Sequence, residues 1–209
     1  MNKDTELACH ELLLCLAGRL PDDTLWRFRD WLGEGALEVL ARTLPKSLLR
    51  HGIDLDQREY DLLVAALIPN GADFHELSST LRVDDSPVSG YTFTETAPDR
   101  LNNVDSVSAV IDAALRGRPD VGDVRESWRY AERGSERDAK RVLLVTATTG
   151  WPRLTGELQR VLRVLGDEEP AIEVLPPQFD LPDYHLAALA NARAVSVGAV
   201  GAGLGPATG

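Results

Sequence analysis

The chain has 209 residues, of which 44% are apolar and 26% charged, enough for one large globular domain or two small ones and too apolar for wholesale disorder. Its formal net charge is −11, with no run of Lys and Arg to offset it, which argues against nucleic acid and anionic lipid as partners. No apolar stretch approaches bilayer length, and the start Met1-Asn2-Lys3-Asp4-Thr5-Glu6 lacks the basic opening and apolar core of a signal peptide.

The first part of the chain has helical spacing. Asp4 or Thr5 caps a first helix carrying Leu7, Leu12, Leu14, Cys15 and Leu16, which Gly18 and Pro21 end. Cys9 and Cys15 on that helix are ~9 Å apart along its axis, too far for a disulfide. Free thiols of this kind fit a reducing cytoplasm. Asp22 or Asp23 opens a second helix, Thr24–Leu32, closed by Gly33 and Gly35. A third runs from Ala36 towards Leu44, where Pro45 is expected to break it or start a short turn ending at Gly52. Asp56 and Glu59 have capping-box spacing and open a helix with Tyr60, Leu63, Val64 and Leu67. Pro69-Asn70-Gly71 stops it, and a last helix is expected over Asp73–Leu81.

Residues 83–90 have turn chemistry and no apolar period, so they read as a linker between a helical domain, 1–82, and an α+β domain, 91–198. Beyond them Tyr91–Thr94 alternates as a strand, and Val104–Arg116 has a helical stripe. Val124–Tyr130 alternates again, with Val124, Glu126, Trp128 and Tyr130 on one face. A charged connection, Glu132–Asp138, short enough for a hairpin, leads to the buried-strand run of Arg141–Ala147. Leu154, Leu158, Val161, Leu162 and Leu165 mark a helix, Ala171–Leu175 a strand, Pro182–Ala192 a short helix and Ala194–Val197 a short final strand. The order β-α-β-β-α-β predicts a ferredoxin-like sandwich with a small α-β extension, following an N-terminal all-helical bundle. Residues 199–209 read as a flexible Gly/Ala tail.

No constellation names a reaction. His10-Glu11 and His75-Glu76 begin like the zinc-protease helix motif, but Leu14 and Ser79 stand where its second His belongs. No catalytic residue, metal or cofactor is therefore assigned. Thr146, Thr148, Thr149 and Gly150 lie between a strand and a helix, where backbone amides and hydroxyls can hold an anion, although the P-loop Lys is missing. Asp180, Asp183, Tyr184 and His185 combine carboxylate, phenol and imidazole, which could do acid-base work if they lined a cleft and are the residues to test first if the protein is an enzyme. The competing explanation is a helix start, with Asp180 as cap and Pro182 in the first turn.

Trp26, Arg27 and Trp31 form an aromatic-Arg cluster on the second helix, the composition of a binding hot spot. Leu25, Phe28 and Leu32 face the core at helical spacing, which turns Trp26 elsewhere and leaves Trp31 at the edge of the stripe. Residues 54–64, 69–71 and 74–81, with 87–96 as a wing, form a pattern that resembles winged helix-turn-helix regulators. The resemblance implies DNA binding, but its recognition helix carries Asp73, His75 and Glu76 with no Arg before Arg82. A helical hairpin explains the same pattern.

The leading expectation is a non-catalytic cytoplasmic module that binds another protein. A DNA-binding regulator and a small enzyme or anion-binding protein are the alternatives. The dominance of Arg over Lys, which occurs only at Lys3, Lys46 and Lys140, points to a GC-rich bacterial genome.

Overall fold

A computed structural model describes residues 3–73, 75, 77–78, 90–98, 106–131 and 139–195. The described residues form a mixed α/β fold. Four helices come first: α1 (Lys3–Cys15), α2 (Asp22–Gly33), α3 (Leu37–His51) and α4 (Gln57–Leu67), with a 3-10 turn at Ile68–Asn70. Strand β1 (Tyr91–Thr94), helix α5 (Ser106–Leu115), β2 (Val121–Ala131), β3 (Lys140–Ala147), α6 (Trp151–Val164), β4 (Ala171–Leu175), α7 (Asp183–Ala190) and β5 (Arg193–Ala194) follow. Of the helix expected over 73–81, only His75, Leu77 and Ser78 carry a described helical backbone and Asp73 precedes it; residues 74, 76 and 79–81, residues 83–89 of the linker and the tail lie outside the described residues.

Two local signals act as the sequence implies. The Asp56 side chain accepts from the Glu59 amide at 2.7 Å, and the Glu59 carboxylate accepts from the Asp56 amide at 2.9 Å, so both orphan donors at the start of α4 are satisfied. Gly71 takes a left-handed φ of 90° after the 3-10 turn. Pro45 behaves differently from expectation: α3 runs through it without a break to His51. The proline forgoes one helical hydrogen bond, but Leu44, Pro45 and Leu48 are all buried, and their packing carries the helix across the gap.

The sheet has the order β1-β2-β3-β4, with β5 pairing the same edge of β2 that β1 occupies. Neighbours are antiparallel except β3 and β4, which are parallel. β2 and β3 pair antiparallel, while the expected hairpin connection Glu132–Asp138 lies outside the described residues; the ferredoxin-like interleaving is not found. That topology inserts a strand inside each βαβ unit; here β4 pairs directly with β3 and α6 is an ordinary crossover. The α-β extension, α7 and β5, is part of the same sheet system, since β5 pairs with Arg125 and Glu126 of β2.

Alternation along β3 and β4 shows how the layers stack. Val142, Leu144, Ala171 and Leu175 join a core with α1–α4 and α7, whereas Leu143, Val145, Ala147, Ile172 and Val174 join a second core with α5 and α6. The two strands are covered on both faces and read as continuous apolar runs for that reason. The first core holds residues from both sides of the expected linker, so the helical segment and the sheet segment share one interior.

Helix α2 couples the two layers. Arg163 of α6 lies 4.1 Å over the Trp26 ring, Arg160 pairs with Asp30 at 2.9 Å, and Gly33 meets Gly156. Rising numbers on α2 face falling numbers on α6, so the pair is antiparallel. A Cβ at Gly33 would stand 2.8 Å from the Pro152 carbonyl oxygen and 3.3 Å from the Gly156 Cα, which explains why the smallest residue occupies the closest point of approach.

Candidate functional site

Helix α2 is amphipathic in three directions. Leu25, Phe28 and Leu32 are buried in the core, as their spacing implies. Trp26, Asp30 and Gly33 form the seam with α6. Thr24, Arg27, Phe28 and Trp31, spaced i, i+3, i+4 and i+7, line a groove shared with α3. The facing wall is Thr43, Lys46, Ser47 and Arg50, again spaced i, i+3, i+4 and i+7. Two helical stripes of like spacing thus oppose each other across about 220 Å³.

The aromatic-Arg cluster is therefore divided. Arg27 and Trp31 share the groove, and Trp26 does not: its ring is stacked beneath Arg163 at the α6 seam. Trp31 packs on Phe28 with ring centroids 5.8 Å apart and stays half-buried, so the groove has an aromatic floor. Arg27, Lys46 and Arg50 are exposed along its walls, and no carboxylate is among the described lining residues.

The candidate polar residues of the C-terminal segment are separated too. His185 is fully buried, with its Nε2 donating to Glu173 Oε2 at 2.9 Å. Asp180 is exposed and bound by Arg58, at 3.0 Å through its backbone oxygen and 3.4 Å through its carboxylate. Pro182 is the residue that caps α7, with Asp183 in its first turn, so Asp180 is not its cap. Asp183 and Tyr184 line a cleft of about 230 Å³ with Cys15, Arg19, Asp56 and Glu59, but His185 is not part of that lining. The acid-base set is not assembled in one cleft.

Cys15, in the cleft lining, and Cys9, buried in the core on the same helix, are both suppressed as nucleophiles. Burial pushes both the Cys9 and Cys15 thiols up to about 12. Burial likewise raises the Tyr184 phenol, whose oxygen accepts from Arg129 at 3.1 Å. Arg19 pairs with Glu59 across the cleft floor.

In the strand-helix connection, Thr146 and Thr148 are engaged within the fold. The Thr148 amide donates to the Asp120 carbonyl at 2.8 Å, and the Thr148 hydroxyl points to the same oxygen at 3.4 Å. Thr146 Oγ1 accepts from the Asp123 amide at 2.7 Å. Gly150, at a φ of 67°, is the cap of α6, and Pro152 in its first turn removes an amide that an anion would need. Thr149 is exposed beside them. Of the expected wing, Tyr91–Thr94 is paired with Trp128–Ala131 in the main sheet, and residues 87–89 lie outside the described residues.

The polar feature that sequence reasoning missed lies between α1, α2, β4 and α7. Arg29, only 2% exposed, donates from both terminal nitrogens to Glu173, at 2.8 and 2.6 Å, and further to the Ile172 and Leu13 carbonyls at 3.0 and 3.2 Å. His10 donates to the Val174 carbonyl at 2.8 Å. Burial lowers His10 to about 4, the Val174 hydrogen bond opposing that shift and the Arg29 charge adding to it. Burial alone would raise the Glu173 carboxyl, but Arg29 and His185 hold it below the ordinary carboxylate range. A signal existed: Arg29 interrupts the apolar stripe of α2, one position after Phe28, and Glu173 is the central residue of an otherwise apolar strand. A charge at a core position implies a buried partner.

Comparison with family models, with characterised proteins and with solved structures finds no match to this chain. Among the described residues no His, Cys, Asp and Glu cluster is disposed to hold a metal, and no helix is long and apolar enough to cross a membrane. Of the arrangements described, the sealed network explains cohesion, the cleft holds paired charges, and the α2–α3 groove is lined by three exposed cations together with Phe28 and Trp31, Arg27 also lying 5.6 Å from the Trp26 ring centroid.

Proposed function

We propose that this protein is a non-catalytic module that binds another protein through the α2–α3 groove. The observation that carries the proposal is the pair of facing i, i+3, i+4, i+7 stripes, in which the Phe28–Trp31 ring pair lines the same groove as Arg27, Lys46 and Arg50. Half-buried Trp and solvent-facing Arg are the residue types that concentrate binding energy at protein interfaces. The buried unbridged thiols, Cys9 and Cys15, suit a reducing cytoplasm as the place of action.

The experiment is capture from the native host by the immobilised full chain, followed by mass spectrometry, with wild type and an Arg27→Ala/Trp31→Ala variant in parallel. The variant should retain the wild-type circular dichroism spectrum and cooperative melt while capture falls at least about tenfold, the loss of a single hot-spot residue being ~2 kcal/mol. Undiminished capture by the folded variant removes the groove from the interface.

A further inference from the structure

We infer that the occupant of the α2–α3 groove is an extended acidic segment of the partner, with Asp or Glu at alternate positions; this rests on the protein-binding proposal above. Three cations face the groove, Arg27 from α2 and Lys46 and Arg50 from α3, and none of its described lining residues is acidic. Such a concentration is conspicuous on a chain of net charge −11. Oxygen-rich, negatively charged groups are the complement of these walls.

The spacing narrows the chemistry. Each stripe covers seven residues of rise, a groove about 10 Å long. That length admits about three residues of extended chain. Lys46 and Arg50 are one helical turn apart, with Cβ atoms separated by about 6 Å. Side chains at positions i and i+2 of an extended segment point the same way and are about 7 Å apart. Two alternate carboxylates therefore meet Lys46 and Arg50 in register, and Arg27 closes from the opposite wall. The hydroxyls divide by availability. Thr43 Oγ1 donates to the Val39 carbonyl at 2.6 Å and Thr24 Oγ1 to Asp23 at 3.1 Å, so neither presents its proton, whereas Ser47 makes no described hydrogen bond and stands between the two α3 cations. Trp31 supplies the apolar surface for the stems of the acidic side chains.

The test is fluorescence polarisation with a labelled ten-residue peptide bearing Glu at two alternate central positions, its Gln counterpart and a mixed-sequence oligonucleotide. Wild type should bind the Glu peptide at least about tenfold more tightly than the Gln peptide, and raising salt from about 50 to about 300 mM should weaken binding several-fold. Lys46→Glu/Arg50→Glu should lose at least about tenfold in affinity. Arg153→Glu, a charge reversal on exposed α6 surface, should not. A folded reversal variant that binds the Glu peptide as well as wild type does overturns the inference. So does equal binding of the Glu and Gln peptides, or an oligonucleotide that competes at equal concentration. The two proposals fail separately. If host-partner capture is lost in Arg27→Ala/Trp31→Ala but unchanged in Lys46→Glu/Arg50→Glu, the groove stands and the acidic occupant falls. If capture is unchanged in both, both fall.

Discussion

Arg27 and Arg29 are two residues apart on the same helix and live in opposite worlds. Arg29 is sealed, with Glu173, two backbone carbonyls and the neighbouring His185 accounting for its surroundings. Arg27 faces solvent from the wall of a groove that holds two further cations. A buried charge must find its complement within the fold, because desolvation without a partner costs several kcal/mol. An exposed one bears no such cost, so its complement can come from another molecule. The difference separates charge that holds α1, α2, β4 and α7 together from charge left over for recognition.

The sharpest way to break the contrast is Arg29→Met. It leaves Glu173 buried without its guanidinium partner, and the unfolding free energy should fall by about 3–5 kcal/mol in urea titrations. A loss below about 1 kcal/mol would mean the network is not what joins the helices to β4.

Acidification comes next. The unfolded chain takes up a proton on His10 near pH 6.5, while the folded chain does so only near 4. The unfolded state therefore binds more protons between those values, and stability is complete above pH 6.5 and declines as the pH falls towards 4. The full difference is roughly 3 kcal/mol. Glu173, shifted downwards, loses its contribution in the same direction, below its ordinary range. Urea midpoints measured at pH 7 and 4.5 should converge markedly in His10→Gln, and an unchanged gap would remove His10 as the cause.

Gly33→Ala should cost about 1–2 kcal/mol, because the new methyl meets the Pro152 carbonyl oxygen and the Gly156 backbone, which are not flexible side-chain ends. A thermal melt at or above the wild-type midpoint would show that α2 and α6 have room to separate. The smallest effect belongs to the groove. Lys46→Glu/Arg50→Glu should change stability by no more than about 0.5 kcal/mol, since both side chains are exposed, and the same urea titration measures it. A large destabilisation would place those cations with Arg29, among the charges that hold the fold.

Much of the local structure was legible in the chain. The Asp56–Glu59 box, the stop at Pro69-Asn70-Gly71, the strand at Ala171–Leu175 and the helix stripe through Leu154, Leu158 and Leu162 all follow from spacing and side-chain chemistry. The candidate sites were legible only as residue types. Trp26, Arg27 and Trp31 are neighbours in sequence, yet α6 claims Trp26 while α3 completes the groove around the other two. Nothing near Trp31 in sequence announces Lys46 or Arg50 as its neighbours.

The chain's own periodicity determined where helices and strands form and which face of α2 is apolar, because those choices depend on neighbours within a turn or two. Tertiary structure alone decided the strand order, the passage of α3 through Pro45 and the burial of Arg29 with Glu173, 144 residues away. These depend on which surfaces meet. A parallel β3–β4 pair and an interleaved strand use the same residues in the same order, and only the packing of α1, α2 and α6 on the finished sheet distinguishes them.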